Sequence, residues 1–373
     1  MAHTYTPGLR VTRSATVRKR RQLPLTGEVL ASEGESVQRD RVVARTELPG
    51  DVTTLNLVNR LGVTPDELPA FMLKKEGEPV ESGEPVAETR PFISWFKTTV
   101  ESPVTGTVES VSPVTGQVIL RGPPRPVQVR AYVDGTVVET IPGEGVTVET
   151  VGAFLQGIFG IGGESWGAIR TLAATPDERL PADRIDASCA GRICIAGGLV
   201  TLDLIRKARE IGAAGLIGGG IRDHDLRSLL GYDLGVAITG TEEIGLTVVI
   251  TEGFGDIAMA TKTFDILNER NGDEASISGA TQIRAGVLRP EIIVPDTESS
   301  AAAEEAVARD GLSIGDPVRT IRAPFFGKTG VVTALPSELA AVESEIQVRV
   351  LEVQFENGQQ AVIPRANAER IEA

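Results

Sequence analysis

The feature that most constrains the fold of this chain is a short internal repeat near its N-terminus. When the sequence is shifted by 43 residues, seven positions of residues 33–46 meet identical residues in 76–89. The repeated residues are Glu33, Gly34, Glu35, Val37, Val43, Ala44 and Thr46, which match Glu76, Gly77, Glu78, Val80, Val86, Ala87 and Thr89. In each copy the glycine marks a tight turn, and the spaced apolar residues mark a short strand with one buried face. One such unit cannot bury its apolar face alone, so the repeat predicts packed pairs of β units.

Further strand pairs are predicted directly after the repeat. Residues 102–120 read SPVTGTVESVSPVTGQVIL and residues 134–149 read DGTVVETIPGEGVTVE, with alternating apolar residues and Pro-rich corners. The pattern x-G-x-x-V-x-x-G-x-x-V-A, followed by S-P-V-x-G-x-V, resembles the barrel-sandwich hybrid of biotinyl and lipoyl domains. Similar non-carrier copies occur in Rnf- and Nqr-type electron-transfer subunits, in HlyD-type adaptors and in the large bacterial RNA polymerase subunits. The resemblance implies a fold, and we expect this β domain to span residues 23–152.

A carrier domain of this type presents a lysine at a hairpin tip, as Asp-Lys or Met-Lys. The corresponding segment here reads RPFISWFK, and its single lysine, Lys97, follows an aromatic residue. We therefore interpret the segment as a contact loop for packing or for a partner, since aromatic residues in a loop are good interface anchors. A modified Lys97 and an ordinary solvated Lys97 are the alternatives. The candidate interface residues are Arg90, Phe92, Ile93, Trp95 and Phe96.

The charge of the chain is unevenly distributed. The formal net charge is -14, which opposes binding to nucleic acid or to an anionic membrane. The first 22 residues nevertheless contain no acid and six bases, namely Arg10, Arg13, Arg18, Lys19, Arg20 and Arg21. We interpret residues 1–22 as a basic tail, either disordered or docked on an acidic face of a neighbouring subunit or on RNA.

From about residue 153 the pattern changes to apolar runs that alternate with helical periodicity. Strands are predicted at 193–198, 215–221, 235–240 and 246–255, and helices at 201–211 and 222–231. Strands that alternate with helices are typical of a mainly parallel sheet with right-handed crossovers. We expect residues 153–295 to form such an α/β domain.

A ligand of such a sheet would bind at the carboxyl ends of the strands. The glycines of GGGIRD could present backbone N–H groups to an anion or a nucleotide before a helix, or they could simply permit tight turns. The candidate ligand residues are Gly218, Gly219, Gly220, Arg222, Thr239, Gly240, Glu252 and Arg284. Neither GxGxxG nor GxxxxGK[ST] is present, acidic residues crowd the same edge, and no calcium-loop spacing occurs. We therefore expect no metal and no cofactor.

No catalytic constellation is evident. His3 lies in the basic segment, and His224, between two aspartates, is interpreted as an exposed residue at a helix start. The two cysteines, Cys189 and Cys194, are too few for a disulfide framework and lack companions for a zinc site. We interpret them as buried free thiols, with a redox pair as the alternative. No catalytic residue is predicted.

The C-terminal part is predicted to consist of a linker, 296–310, and a small barrel, 311–373. The barrel resembles KOW-type SH3-like domains through GDPV at 315–318, Pro324, GKTGVV at 327–332 and VIPRANAE at 362–369. Such modules contact RNA or protein. Acidic residues outnumber basic ones here, and RNA binding relies on a basic face, so protein contact is favoured.

The sequence therefore predicts an α+β, multidomain, β-rich protein with a barrel-sandwich hybrid, a central α/β parallel-sheet domain and an SH3-like C-terminal barrel. We expect a cytoplasmic, non-catalytic scaffold or assembly protein that forms a homo-oligomer or joins a larger complex. One alternative is an accessory enzyme subunit that binds a nucleotide or an acidic metabolite. Another is an RNA- or ribosome-associated or transcription-associated factor. Protein partners are favoured, nucleic acid less so, and no membrane contact is expected, because no apolar run is long enough to span one.

Overall fold

A computed structural model describes residues 9–89, 97–231, 242, 244–281, 288–296, 314–320, 325, 328–336, 339–341, 347–355 and 358–370. The protein is β-rich and contains several separate sheets. This agrees with the expected β-rich, multidomain character. Among the described residues, no helix has both the length and the apolar composition needed to cross a membrane.

The N-terminal part contains two twelve-residue strands, which belong to a large sheet, and shorter strands, most of which form small sheets. Its strands are β1 (Val11–Gln22), β2 (Glu28–Val29), β3 (Ser36–Val37), β4 (Val42–Leu48), β5 (Val52–Asn56), β6 (Pro79–Val80), β7 (Pro85–Glu88), β8 (Thr99–Glu101), β9 (Gly106–Val111), β10 (Gln117–Arg121), β11 (Arg125–Arg130), β12 (Gly135–Ile141) and β13 (Gly145–Gln156). Two short helices, α1 (Leu57–Leu61) and α2 (Leu68–Phe71), follow β5. One sheet has the order β5-β10-β9-β6, another β11-β4-β2, and β7 pairs with β8 as a hairpin.

The internal repeat forms the turns and strands that its sequence predicts. Gly34 and Gly77 have φ values of 82° and 85°, a left-handed conformation that favours glycine. In each copy the glutamate after the glycine closes the turn, because the Glu35 carboxylate accepts the N–H of Ser32 at 2.9 Å and the Glu78 carboxylate accepts that of Lys75 at 2.9 Å. Strands β3 and β6 follow these two turns.

The N-terminal basic segment is not a tail from Val11 onward, contrary to expectation. It forms the twelve-residue strand β1, which pairs antiparallel with β13 along most of its length. The physical reason is alternation, since Ala15 and Val17 are buried in a core that also contains Val146 and Val148 of β13. Of the four bases that follow Val17, Arg18 and Arg20 are exposed, whereas Lys19 and Arg21 are partly buried.

The central part completes a twelve-stranded mixed sheet that shares β13 with the N-terminal part. Its elements are β14 (Phe159–Ile161), β15 (Glu164–Thr171), β16 (Ile193–Ile195), β17 (Leu199–Val200), α3 (Leu202–Ile211), β18 (Gly215–Ile221), α4 (Asp223–Leu230), β19 (Thr247–Phe254), α5 (Thr261–Glu269), β20 (Glu274–Ser278) and β21 (Glu291–Pro295). Strands β15, β16, β18 and β19 are parallel neighbours. Strands β16, β18 and β19 correspond to the strands predicted at 193–198, 215–221 and 246–255, whereas β15 was not predicted. Strands β14, β20 and β21 are antiparallel additions, and the predicted strand 235–240 lies outside the described residues.

Helices cover both faces of the parallel strands. Helix α3 begins where the Thr201 hydroxyl accepts the N–H of Leu204 at 3.3 Å, and it ends at Gly212, which has a φ of 77°. Its buried residues share a core with Leu216 of β18, whereas Phe264 of α5 shares the opposite core with Ile217. This confirms the helix predicted at 201–211.

The boundary predicted between residues 152 and 153 falls inside β13. The first half of β13 pairs with β12, and its second half pairs with β21, so one strand is common to both parts of the chain. A continuous strand is possible because Val148 is buried in the N-terminal core and Leu155 in the central core. The two parts therefore share a sheet.

The C-terminal part is an antiparallel sheet with its own core. Its strands are β22 (Pro317–Thr320), β23 (Thr329–Ala334), β24 (Leu339–Ala341), β25 (Gln347–Phe355), β26 (Gln360–Pro364) and β27 (Ala368–Arg370). The order is β24-β25-β23-β22-β27, and β26 pairs with β25. A 3-10 turn at Arg365–Asn367 leads into β27, and the core includes Val318, Leu351 and Phe355.

Candidate functional site

The candidate site is the edge of the central sheet where the parallel strands β16, β18 and β19 end. Most of the ligand residues proposed from the sequence lie there, and the structure brings Gly218, Gly219, Gly220, Arg222 and Glu252 to this edge. Thr239, Gly240 and Arg284 lie outside the described residues. The segments that follow the strands, 196–201 and 255–260, cover the edge.

The three glycines are buried within β18, which corresponds to the strand predicted at 215–221. The N–H of Gly219 donates to the carbonyl of Gly197 at 2.8 Å, and that of Gly220 donates to Gly198 at 3.0 Å. A Cβ on Gly219 would collide with the backbone at Ile257. The glycines are therefore required for close backbone packing, and the N–H groups of Gly219 and Gly220 are already occupied.

Glu252 is the centre of a buried ion pair between two parts of the chain. One carboxylate oxygen accepts the N–H of Ala260 at 3.0 Å, and the other accepts a guanidinium N–H of Arg319 in β22. The side chains of Arg319 and Glu252 are only 6% and 8% exposed. Because a buried charge is costly unless it is paired, this contact holds the C-terminal sheet against the edge.

Arg222 is also engaged within the chain. It lies at the start of α4, and its guanidinium is 3.6 Å from the Asp256 carboxylate, which also pairs with Arg179. Both arginines are more than half exposed, so these contacts contribute modestly to stability. At this edge, therefore, Arg222 and Arg179 are paired with a carboxylate of the same chain.

His224 and the cysteines occupy the places expected for structural residues. The His224 side chain is 88% exposed in the first turn of α4, which confirms its interpretation as an exposed helix-start residue. Cys189 and Cys194 are both free and buried. Burial, together with the neighbouring Cys189, raises the pKa of the Cys194 thiol far above its ordinary value, so the reactive thiolate is disfavoured.

The predicted contact loop belongs to the segment of sequence between β7 and β8. The residues proposed for contact, Arg90, Phe92, Ile93, Trp95 and Phe96, fall outside the described residues. The base of the hairpin is described: the N–H of Thr89 donates to the Thr98 carbonyl at 2.9 Å, and the Lys97 ammonium lies 2.6 Å from the Glu88 carboxylate. Lys97 is therefore an ion-paired residue near the base of the hairpin.

A second polar cluster was missed by sequence reasoning. Tyr132 has a φ of 73°, is fully buried, and its hydroxyl finds no hydrogen-bond partner among the described residues. Burial raises the pKa of Tyr132 well above its ordinary value, and the carboxylates of Glu291 and Glu164 add to this effect. The bases of this cluster come from β1. The one signal in the sequence that could have indicated it is therefore the spacing of apolar residues that marks β1 as a strand.

The cluster neutralises bases of β1 with acids that are distant in sequence. Lys19 donates to Glu291 at 2.6 Å, and Arg21 donates to both oxygens of Glu164 at 2.7 and 2.8 Å. The Arg21 guanidinium also lies 5.2 Å from the centroid of the Tyr132 ring. Lys19 and Arg21 of the basic segment are therefore paired with carboxylates of the same chain.

The described residues contain no group of three or more His, Cys, Asp or Glu side chains that could hold a metal ion. No protein-family model matches the chain, and no curated protein matches it as a relative.

Proposed function

We propose that this chain is a non-catalytic assembly protein of the cytoplasm, which forms a homo-oligomer or serves as a subunit of a larger complex. The observation that carries the proposal is the buried Arg319–Glu252 pair at the carboxyl edge of the parallel sheet. The position where an α/β sheet usually binds its ligand is filled there by another part of the same chain. A ligand would have to displace a buried ion pair, which favours a structural role for this edge.

The arrangement of the outer modules supports the same proposal. In the C-terminal sheet the first strand, β22, pairs with the last, β27, which favours a small closed barrel of the SH3-like KOW type. In the N-terminal part, the short sheets and the β7–β8 hairpin favour a barrel-sandwich hybrid of the non-carrier type. In this proposal the segment 90–96, between β7 and β8 in the sequence, is a contact loop for a protein partner.

The RNA-associated alternative is weakened by the ion pairs of β1. Four of the six bases in the first 22 residues are bound to acids of the same chain, namely Arg13 to Glu269, Arg18 to Glu149, Lys19 to Glu291 and Arg21 to Glu164. Since affinity for nucleic acid comes from bases that are free to neutralise phosphates, this pairing favours protein partners.

Light scattering on the full chain, combined with cross-linking in a lysate from its source, tests the proposal. We expect a mass above that of one chain or a reproducible partner, and we expect the double variant Phe92→Ser/Trp95→Ser to lose it. A strict monomer without any partner would overturn the proposal. So would a nucleotide that raises the melting temperature of the chain but not that of Arg222→Ala, because this result would support the enzyme-subunit alternative.

A further inference from the structure

The strand β1 has two edges of different character. Its pairing with β13 has a constant register from Ala15 to Gln22, and the next bond in that register runs from the N–H of Leu23 to the carbonyl of Glu144. In an antiparallel ladder only alternate residues bond to a given neighbour. Residues 17, 19 and 21 therefore bond to β13, and residues 16, 18, 20 and 22 direct their N–H and C=O groups away from it.

That outer edge has no strand neighbour among the described residues. Strand β1 pairs with β13 alone, while β12 and β21 occupy the opposite side of β13. The side chains of Thr16, Arg18, Arg20 and Gln22 are all exposed. At about 3.4 Å per residue, the free edge from Thr16 to Gln22 is roughly 20 Å long. This is long enough for an extended segment to pair with it.

The charged side chains along the outer edge of β1 indicate which kind of segment would pair with it. Arg18 is 68% exposed and lies 2.6 Å from Glu149 of β13, whereas Arg20 is exposed and makes no ion pair with any described residue. A second copy of β1 in an antiparallel arrangement centred on residue 19 would place Arg18 opposite Arg20, and like charges directly opposite each other are destabilising. A strand with acidic side chains would instead complement Arg20.

We propose that the free edge of β1 binds an acidic extended polypeptide segment, which adds a strand to the twelve-stranded sheet. The backbone groups of residues 16, 18, 20 and 22 supply the hydrogen bonds, and the guanidinium of Arg20 selects acidic side chains. This inference rests on the proposed function in assembly and names the chemistry of one partner contact. It concerns a surface that is separate from the β7–β8 hairpin.

The test uses the full chain and a short acetylated, fluorescent peptide in which glutamate alternates with threonine. We expect saturable binding in fluorescence anisotropy that weakens as salt is raised, and no binding of the same peptide with lysine in place of glutamate. Arg20→Ala keeps the N–H and should bind up to roughly fivefold more weakly. Arg20→Pro removes the outward N–H and should bind far more weakly than Arg20→Ala.

Hydrogen exchange provides a readout that does not depend on a variant. The amides of Arg18, Arg20 and Gln22 should exchange rapidly in the free chain and slowly with the peptide, whereas those of Lys19 and Arg21 should be slow in both states. Equal binding by Arg20→Pro in its folded form, equal binding of the lysine peptide, or unchanged exchange would overturn the inference. Protection that increases with protein concentration alone would also overturn it, since the occupant would then be a second copy.

The outcome is separable from that of the proposed function. If Arg20→Pro and the wild type assemble equally in light scattering and the peptide does not bind, only the inference about β1 fails. A monomer without partners that still binds the peptide would instead contradict the assembly proposal.

Discussion

The carboxyl edge of the parallel sheet and the outer edge of β1 differ in how far their polar groups are satisfied. At the first, glycine N–H groups, Glu252 and Arg222 all meet partners from the same chain. At the second, alternate backbone groups face outward beside Arg20, which has no ion pair with a described residue. In the sequence the first region looks like a ligand site and the second like a tail. A strand edge whose backbone groups lack partners can pair with another strand, whereas polar groups that are already paired must first lose their partners.

At the carboxyl edge of the parallel sheet, the largest effect is expected from Glu252→Gln. The substitution removes the negative charge that faces the buried Arg319, and breaking a buried pair typically costs about 3–5 kcal/mol. We expect urea denaturation to show a loss of this size and limited proteolysis to release the C-terminal sheet. The double variant Glu252→Gln/Arg319→Gln should recover part of the loss. A loss below about 1 kcal/mol would mean that the pair behaves like an exposed one.

Gly219→Ala tests whether the glycines serve packing. The added Cβ would meet the backbone at Ile257, which cannot move as a side chain can, so we expect a destabilisation of about 3 kcal/mol. Gly122→Ala is the matched control, because a Cβ there would have its nearest neighbour at 3.5 Å, an ordinary contact. The measurement is the urea midpoint of each variant. Equal midpoints would argue that the loop at 255–260 is free to move.

Proline substitutions compare the two edges of β1 directly. Lys19→Pro removes an N–H that bonds to β13, and it should cost about 2 kcal/mol more than Lys19→Ala, which removes only the side chain and its pair with Glu291. Arg20→Pro removes an outward N–H and should differ little in stability from Arg20→Ala. Thermal denaturation of the four variants provides the measurement. Equal costs at both positions would disprove the assigned register.

The smallest expected effect at neutral pH concerns Tyr132. Its buried hydroxyl has no described partner, so Tyr132→Phe should leave stability unchanged or increase it by about 1 kcal/mol. The pKa of Tyr132 is raised in the folded chain, so the folded state holds the proton more tightly and its stability is lost as pH rises above about 10.

Above that pH, this one residue should change the unfolding equilibrium constant by about tenfold per pH unit, until the folded-state pKa is reached. Tyr132→Phe should remove that part of the alkaline sensitivity. Denaturation curves between neutral and alkaline pH measure the difference. Parallel losses in the two proteins would show that another group is responsible.

Local patterns in the sequence predicted several elements correctly. The repeat turns at Gly34 and Gly77, the helix α3 and the strand β18 were all predicted, because each depends on neighbours within a few residues. The strand β1 was not, because its basic residues resemble those of a solvated tail and only two apolar residues, Ala15 and Val17, mark its buried face near the centre. The ion pair of Glu252 joins residues 67 apart in the chain, and no local pattern specifies such a partner.

The sequence by itself determined the β-rich character, the repeated turns and the alternation of strands and helices in the middle of the chain. It did so because turn formation and periodic burial depend on short-range spacing. The tertiary structure alone decided which charges were neutralised, why the glycines of β18 were needed and which backbone edge stayed open. These properties depend on segments far apart in the chain that meet only after the sheets have formed.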